Sequence, residues 1–206
     1  METKTLGITG GIGSGKSYIS AFFESEGVPV YNSDSRTKEL YSENKRLLAG
    51  LKKILGSDIE NAGKPDFKVM ASKIFNDEEV MEAVREYVYP FVMRDFAKWK
   101  RVQIEKAASE KRSLAAVGFE SAVILESEYV KGFMDKVLLV TAPLPVRIER
   151  VVKRDNCSRE AALERISNQW SDEQRRPLSD FEIVSVDGNN ISKQVKKIIA
   201  DLGKEL

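Results

Sequence analysis

Histidine is missing altogether from the 206-residue sequence. Its absence excludes Ser-His-Asp and Cys-His nucleophilic catalysis, His-Glu-x-x-His metal sites and any imidazole base. An enzyme built from this chain must use a carboxylate as its base, and any metal must be a hard ion held by oxygen. The single cysteine, Cys157, excludes an internal disulfide and a multi-cysteine zinc site, and its charged surroundings mark it as incidental. Excess charge is missing too. Lysine and arginine number 33 against 32 for aspartate and glutamate, a net charge of +1, so bulk attraction to nucleic acid or anionic membrane is not expected. No apolar run approaches the roughly 20 residues of a membrane helix. Met1-Glu2-Thr3-Lys4 leads straight into a strand pattern rather than a signal peptide, so a cytoplasmic chain is expected. With 42% hydrophobic and 32% charged residues, the composition suits one substantial core.

What the sequence does have is Gly10-Gly11-Ile12-Gly13-Ser14-Gly15-Lys16-Ser17, directly after the apolar Leu6-Gly7-Ile8-Thr9. This matches G-x-x-x-x-G-K-[ST], the phosphate-binding loop between a buried strand and a helix. A polyphosphate needs several backbone N–H groups converging on it, and glycines let the chain curl that closely. The helix that follows offers free N–H groups and a positive dipole end at its first turn. In this loop type the lysine, here Lys16, reaches the β- and γ-phosphates, and the hydroxyl of Ser17 can ligate Mg²⁺. Ile19, Phe22 and Phe23 continue at helical spacing, and Gly27 follows as a stop.

A second short strand is expected at Val28–Tyr31, delivering Asp34 to the edge where ligands bind in an open α/β sheet. Asp34 reads either as a base or metal-associated carboxylate, or as the cap of a helix over Ser35–Tyr41. Helices are expected at Lys45–Leu55, Lys68–Phe75 and Asp77–Glu110, with Pro90 kinking or dividing the last. These form a helical insert whose aromatics are core by default. The sheet resumes at Ser113–Val117 and Val137–Thr141, and neither strand ends in a clear Walker-B aspartate. Glu120 reads equally as a site residue, a surface residue or a helix cap. Arg147, Arg150 and Arg154 share one helical face, either a solvated face or part of a lid. Phe181–Val186 is a last strand, Asp187-Gly188-Asn189-Asn190 a turn, and Ile191–Leu206 a closing amphipathic helix.

With these pieces placed, nearly the whole chain resembles the dephospho-coenzyme A kinase family. The opening Leu6-Gly7-Ile8-Thr9-Gly10-Gly11-Ile12-Gly13-Ser14-Gly15-Lys16-Ser17 is similar to the family's almost letter for letter. Asp34, Ile74-Phe75, Tyr89-Pro90, Arg150 and Arg154, Arg165-Ile166 with Gln169, Asp180 with Ile183, and Asp187-Gly188 fall in family order. Asn32, Phe67, Tyr89 and Val186 depart from it, and Glu120 to Glu126 is a variant segment.

The resemblance implies a P-loop NTPase-type three-layer α/β/α fold with a central parallel sheet. It implies a single kinase domain with a core of roughly 1–44, 111–143 and 177–206, an acceptor-binding insert of roughly 45–110, and a lid of roughly 144–176. The implied reaction is ATP-dependent phosphorylation of the ribose 3′-hydroxyl of dephospho-coenzyme A, by a monomer that engages neither nucleic acid nor membrane. ATP is expected at Gly11, Ile12, Gly13, Ser14, Gly15, Lys16, Ser17 and Tyr18, and Mg²⁺ at Ser17. Asp34 is expected as the base, with Lys16, Arg150 and Arg154 neutralising the transferring group. The rival readings are another P-loop small-metabolite or nucleoside monophosphate kinase, and a catalytically silent nucleotide-binding paralogue.

Overall fold

The structure, a computed structural model, describes residues 3–61, 63–75, 77–186 and 188–204. Asp187 of the expected turn lies outside the described residues. In chain order the elements begin with β1 (Lys4–Thr9), α1 (Lys16–Ser25) and β2 (Val30–Asn32). Then come α2 (Ser33–Glu43), α3 (Lys45–Leu55), a short hairpin of β3 (Glu60–Asn61) and β4 (Lys64–Pro65), α4 (Phe67–Phe75) and α5 (Glu78–Ser109). The chain closes with β5 (Ala116–Glu120), α6 (Glu128–Lys131), β6 (Lys136–Thr141), α7 (Leu144–Asp155), α8 (Arg159–Ser167), α9 (Asp172–Arg175), β7 (Phe181–Val184) and α10 (Ile191–Lys204).

Two compact units result, Met1–Asn32 with Lys100–Leu206, and Ser33–Trp99. The first holds a five-stranded sheet in the order β2-β5-β1-β6-β7. Every pairing in it is parallel, with Thr5 opposite Val117, Ile8 opposite Leu138 and Leu139 opposite Glu182. Strands buried on both faces need apolar residues at nearly every position. The runs LGIT in β1 and VLLVT in β6 meet that need, with Leu6, Ile8, Leu138 and Val140 fully buried. Against them pack Ile19 and Phe23 of α1 and Ile191, Val195, Ile198 and Leu202 of α10. Because all five strands run the same way, their carboxyl ends share one edge: Thr9, Asn32, Glu120, Thr141 and Val184. The architecture is the α/β fold with a central parallel sheet and flanking helices that the sequence leads one to expect.

In the second unit the pattern of α3 buries Leu47, Leu51 and Leu55, and Asn44 caps it by accepting from the Leu47 N–H at 3.0 Å. Gly50 sits in mid-helix, where glycine ordinarily costs about 1 kcal/mol. Its reason is Tyr87. A Cβ at position 50 would lie 2.0 Å from the Tyr87 hydroxyl oxygen, and that hydroxyl donates to the Arg46 carbonyl at 3.0 Å. Pro90, expected to kink or divide its helix, does not divide α5, which runs through it for 32 residues. Burial of Val84, Val88, Val92 and Met93 around the proline offsets the backbone hydrogen bond that proline cannot donate. Arg36 of α2 grips Asp95 of α5 with two donors, at 2.9 and 3.1 Å, and also pairs with Glu39 and Glu43.

Candidate active site

The strand β1 ends at Thr9, and the chain turns sharply into α1 through residues 10–15. Gly13 and Gly15 adopt φ of +78° and +98°, a region that side chains resist. A Cβ on Gly10 would lie 2.2 Å from the Val140 carbonyl oxygen and one on Gly13 2.6 Å from the Arg147 carbonyl oxygen, so at these points the loop admits glycine alone, while one on Gly11 would displace the Arg147 guanidinium. Gly15 is the residue that precedes α1; no side chain caps the helix, and its first turn holds no acidic residue. The helix therefore presents its N-terminal N–H groups and positive dipole end without a competing carboxylate of its own. The ammonium of Lys16 curls over the loop, donating to the carbonyls of Gly10 at 2.8 Å and Gly11 at 3.3 Å. Tyr18 is exposed, its ring edge-on to Phe22.

At the foot of the loop sits Glu120, the last residue of β5, with only 6% of its surface exposed. A buried carboxylate needs donors. Its Oε1 accepts from the Ser17 hydroxyl at 2.7 Å, and its Oε2 from the Ser20 hydroxyl at 2.9 Å and the Asn32 amide at 3.2 Å. The expected end of the strand at Val117 falls short. The chain stays extended and buried through Glu120, which brings the acid beside Ser17. Glu120, which the sequence leaves undecided, thus lies against Ser17 of the phosphate loop. Asn32, which stood out as a departure from the family pattern, is one of its partners.

The arginines after β6 divide their roles. The first, Arg147, is buried and donates through Nε to the carbonyl of Ile12 at 3.0 Å. Arg150 donates to the carbonyls of Gly13 and Ser14 at 3.3 and 3.2 Å, and to that of Ser185 at 2.9 Å. Arg154 is instead engaged by Asp155, whose carboxylate accepts from it at 2.7 and 2.9 Å and from Arg165 of α8 at 2.6 Å. That pairing, first with Arg154 and then with Arg165, holds the Asp155 carboxyl far below the usual carboxylate range. Gln169, just beyond α8, accepts from the Ile12 N–H at 2.7 Å. Farther back, Arg147 meets Asp172 at 3.5 Å, and the fully buried Arg175 donates to Glu126 at 2.7 Å and to the Trp170 carbonyl. Burial is the largest influence on both partners of the Arg147–Asp172 pair, pushing the guanidinium down and the carboxyl up.

Asp34 lies inside the first turn of α2, not at a cap position, two residues along the chain from Asn32. Among the described residues no cluster of three or more His, Cys, Asp or Glu side chains could hold a metal by itself.

Comparison with known proteins decides the family. The sequence model of the dephospho-CoA kinase family, CoaE, matches residues 4–192. A dephospho-CoA kinase of Bacteroides fragilis is 34% identical over 204 residues, covering 98% of this chain and 94% of that protein. The chain belongs to the dephospho-CoA kinase family. A second relative, from Porphyromonas gingivalis, is also 34% identical and covers 95% of this chain and 92% of its own length. Among solved structures, a Thermus thermophilus protein superposes with a TM-score of 0.79 at 27% identity, covering 98% of this chain and 99% of its own. Dephospho-CoA kinase from Campylobacter jejuni shares the fold at a TM-score of 0.56 and 21% identity, with 98% of both chains covered.

Proposed function

We propose that this family member transfers the γ-phosphoryl group of ATP to the ribose 3′-hydroxyl of dephospho-coenzyme A, giving coenzyme A and ADP. The observation that carries the reading is the uncapped N-terminus of α1, with Lys16 above the loop and the Ser17–Glu120 hydrogen bond beneath it. Backbone N–H groups within residues 11–18, apart from those of Ile12 and Ser14, which are engaged by Gln169 and the Gly11 carbonyl, take the phosphates, and Lys16, Arg150 and Arg154 balance the charge that spreads over the transferring group. Mg²⁺ suits the oxygen donors present. The hydroxyl of Ser17 and the carboxylate of Glu120 lie side by side, and magnesium is ordinarily held by one or two carboxylates together with substrate phosphates. When bound, the ion screens the phosphate charges. Asp34 orients the acceptor hydroxyl and takes its proton; with no histidine in the chain, a carboxylate is the natural base. Residues 45–110 hold the acceptor and residues 144–176 form the lid, in a cytoplasmic monomer.

ADP release tests the reading, measured with dephospho-coenzyme A, with nucleoside monophosphates and with no acceptor. Release that depends on dephospho-coenzyme A is the expected result. Faster turnover with a nucleoside monophosphate would move the protein to another kinase class, and no release with any acceptor would mark a silent nucleotide-binding protein.

A further inference from the structure

The peptide planes of the phosphate loop are held from outside, and two of the side chains that hold them have no part in the chemistry above. Residue Ile12 lies between two such planes. One carries its N–H, which Gln169 accepts at 2.7 Å; the next carries its C=O, which accepts from Arg147 Nε at 3.0 Å. Fixing both planes fixes φ and ψ of Ile12, since these are the only soft torsions between them. In a trans peptide the C=O and the following N–H point in opposite directions, and no cis bond occurs among the described residues. Arg147 therefore turns the Gly13 N–H away from itself. Arg150 does the same one plane later and again two planes later, through the carbonyls of Gly13 and Ser14.

Glycines make this grip necessary. Gly11 and Gly13 flank Ile12, and a run of such permissive residues loses more conformational freedom on ordering than any other sequence would. Left alone, the loop would have to be ordered by ATP at a cost to affinity. Arg147 is itself fixed. It is buried, faces Asp172 at 3.5 Å, and Asp172 lies next to Arg175, which Glu126 holds.

We propose that Arg147 and Gln169 are positioning residues for nucleotide binding: together they clamp the backbone on both sides of Ile12, so that the loop meets ATP already curled. The proposal rests on the reading of residues 10–17 as the ATP site. It also gives the segment after α8 a direct hold on that site.

Two variants test it, Gln169→Met, which keeps bulk but has no good acceptor, and Arg147→Lys, which keeps charge but loses the guanidinium geometry. ATP affinity is measured by titration with a fluorescent ATP analogue, KM is measured for both substrates, and amide hydrogen exchange at Ile12 is followed without nucleotide. Wild-type protein should bind the analogue and protect the Ile12 amide. Gln169→Met should lose that protection and bind ATP roughly 5- to 10-fold more weakly, the worth of one hydrogen bond, with the acceptor KM unchanged. The Arg147→Lys variant should weaken ATP binding similarly, and the double variant should lose less than the product of the two, since both act on one residue. Wild-type affinity for ATP and wild-type exchange in Gln169→Met would overturn the clamp. An equal rise in both KM values would do so too, because it would mark a general loosening. Protection of Ile12 in a wild-type protein that binds no ATP would instead overturn the ATP-site reading, and the nucleotide role of the clamp with it.

Discussion

The amide of Asn32 shows how one residue can be settled by its neighbour. Its Nδ2 donates to Glu120, and a carboxylate cannot donate. An aspartate at this half-buried position would set a second carboxylate at hydrogen-bond distance from the buried Glu120, and one of the two would hold its proton above the usual range. Asn32→Asp is therefore expected to lose about 1–3 kcal/mol at pH 8 without metal, the cost of an unsatisfied buried polar group. The sign follows from linkage. A carboxyl whose folded-state pKa is raised favours the folded state as it protonates, so the deficit should shrink as pH falls through that raised value. Melting temperatures of both proteins in EDTA between pH 8 and pH 5 check this. A constant deficit would remove the like-charge explanation. Legibility in sequence was uneven at this scale. Lys16 and Ser17 are named by the spelling of their own segment, whereas Glu120, Arg147 and Gln169 act through contacts made across more than 100 residues of chain. No local pattern carries such distances.

At the scale of elements, the joint between α7 and α8 is built on Asp155. It closes α7 and accepts from Arg154 of its own helix and Arg165 of the next, while Ile148, Val151, Ala162 and Ile166 form a small apolar core between the two helices. The carboxyl is held below its ordinary value, first by Arg154 and then by Arg165. Its contribution is thus present above the ordinary carboxylate pKa of roughly 3.9 and is lost as pH falls below it. Asp155→Asn should lower the melting temperature at pH 7, and the gap from wild type should begin to narrow below about pH 4 and go on narrowing as pH falls toward the depressed folded-state value. A gap unchanged at pH 3 would mean that the ion pairs contribute nothing there. Helices such as α3 were readable to the residue, because a 3.6-residue apolar stripe ending at Gly56 encodes both its face and its stop. Strand ends were less so. Ala116–Glu120 was displaced by three residues from the expected Ser113–Val117, since a strand buried on both faces has no alternation to mark its limits.

For the whole molecule, the parallel sheet with β1 at its centre brings together the loop after β1, Asn32 and Glu120, three features spread between residues 10 and 120. That convergence follows from topology, so the α/β class was legible from the strand–loop–helix opening, and the family from its spelling. The order of strands was not. The proposed transfer of a phosphoryl group from ATP to one particular hydroxyl is open to direct measurement. It is tested most directly by incubating the protein with γ-³²P-labelled ATP and dephospho-coenzyme A, isolating the nucleotide product, and treating it with a 3′-nucleotidase. Label in coenzyme A that the 3′-nucleotidase releases completely is the expected result. Label found only as free phosphate, or at a position that enzyme cannot reach, would contradict it.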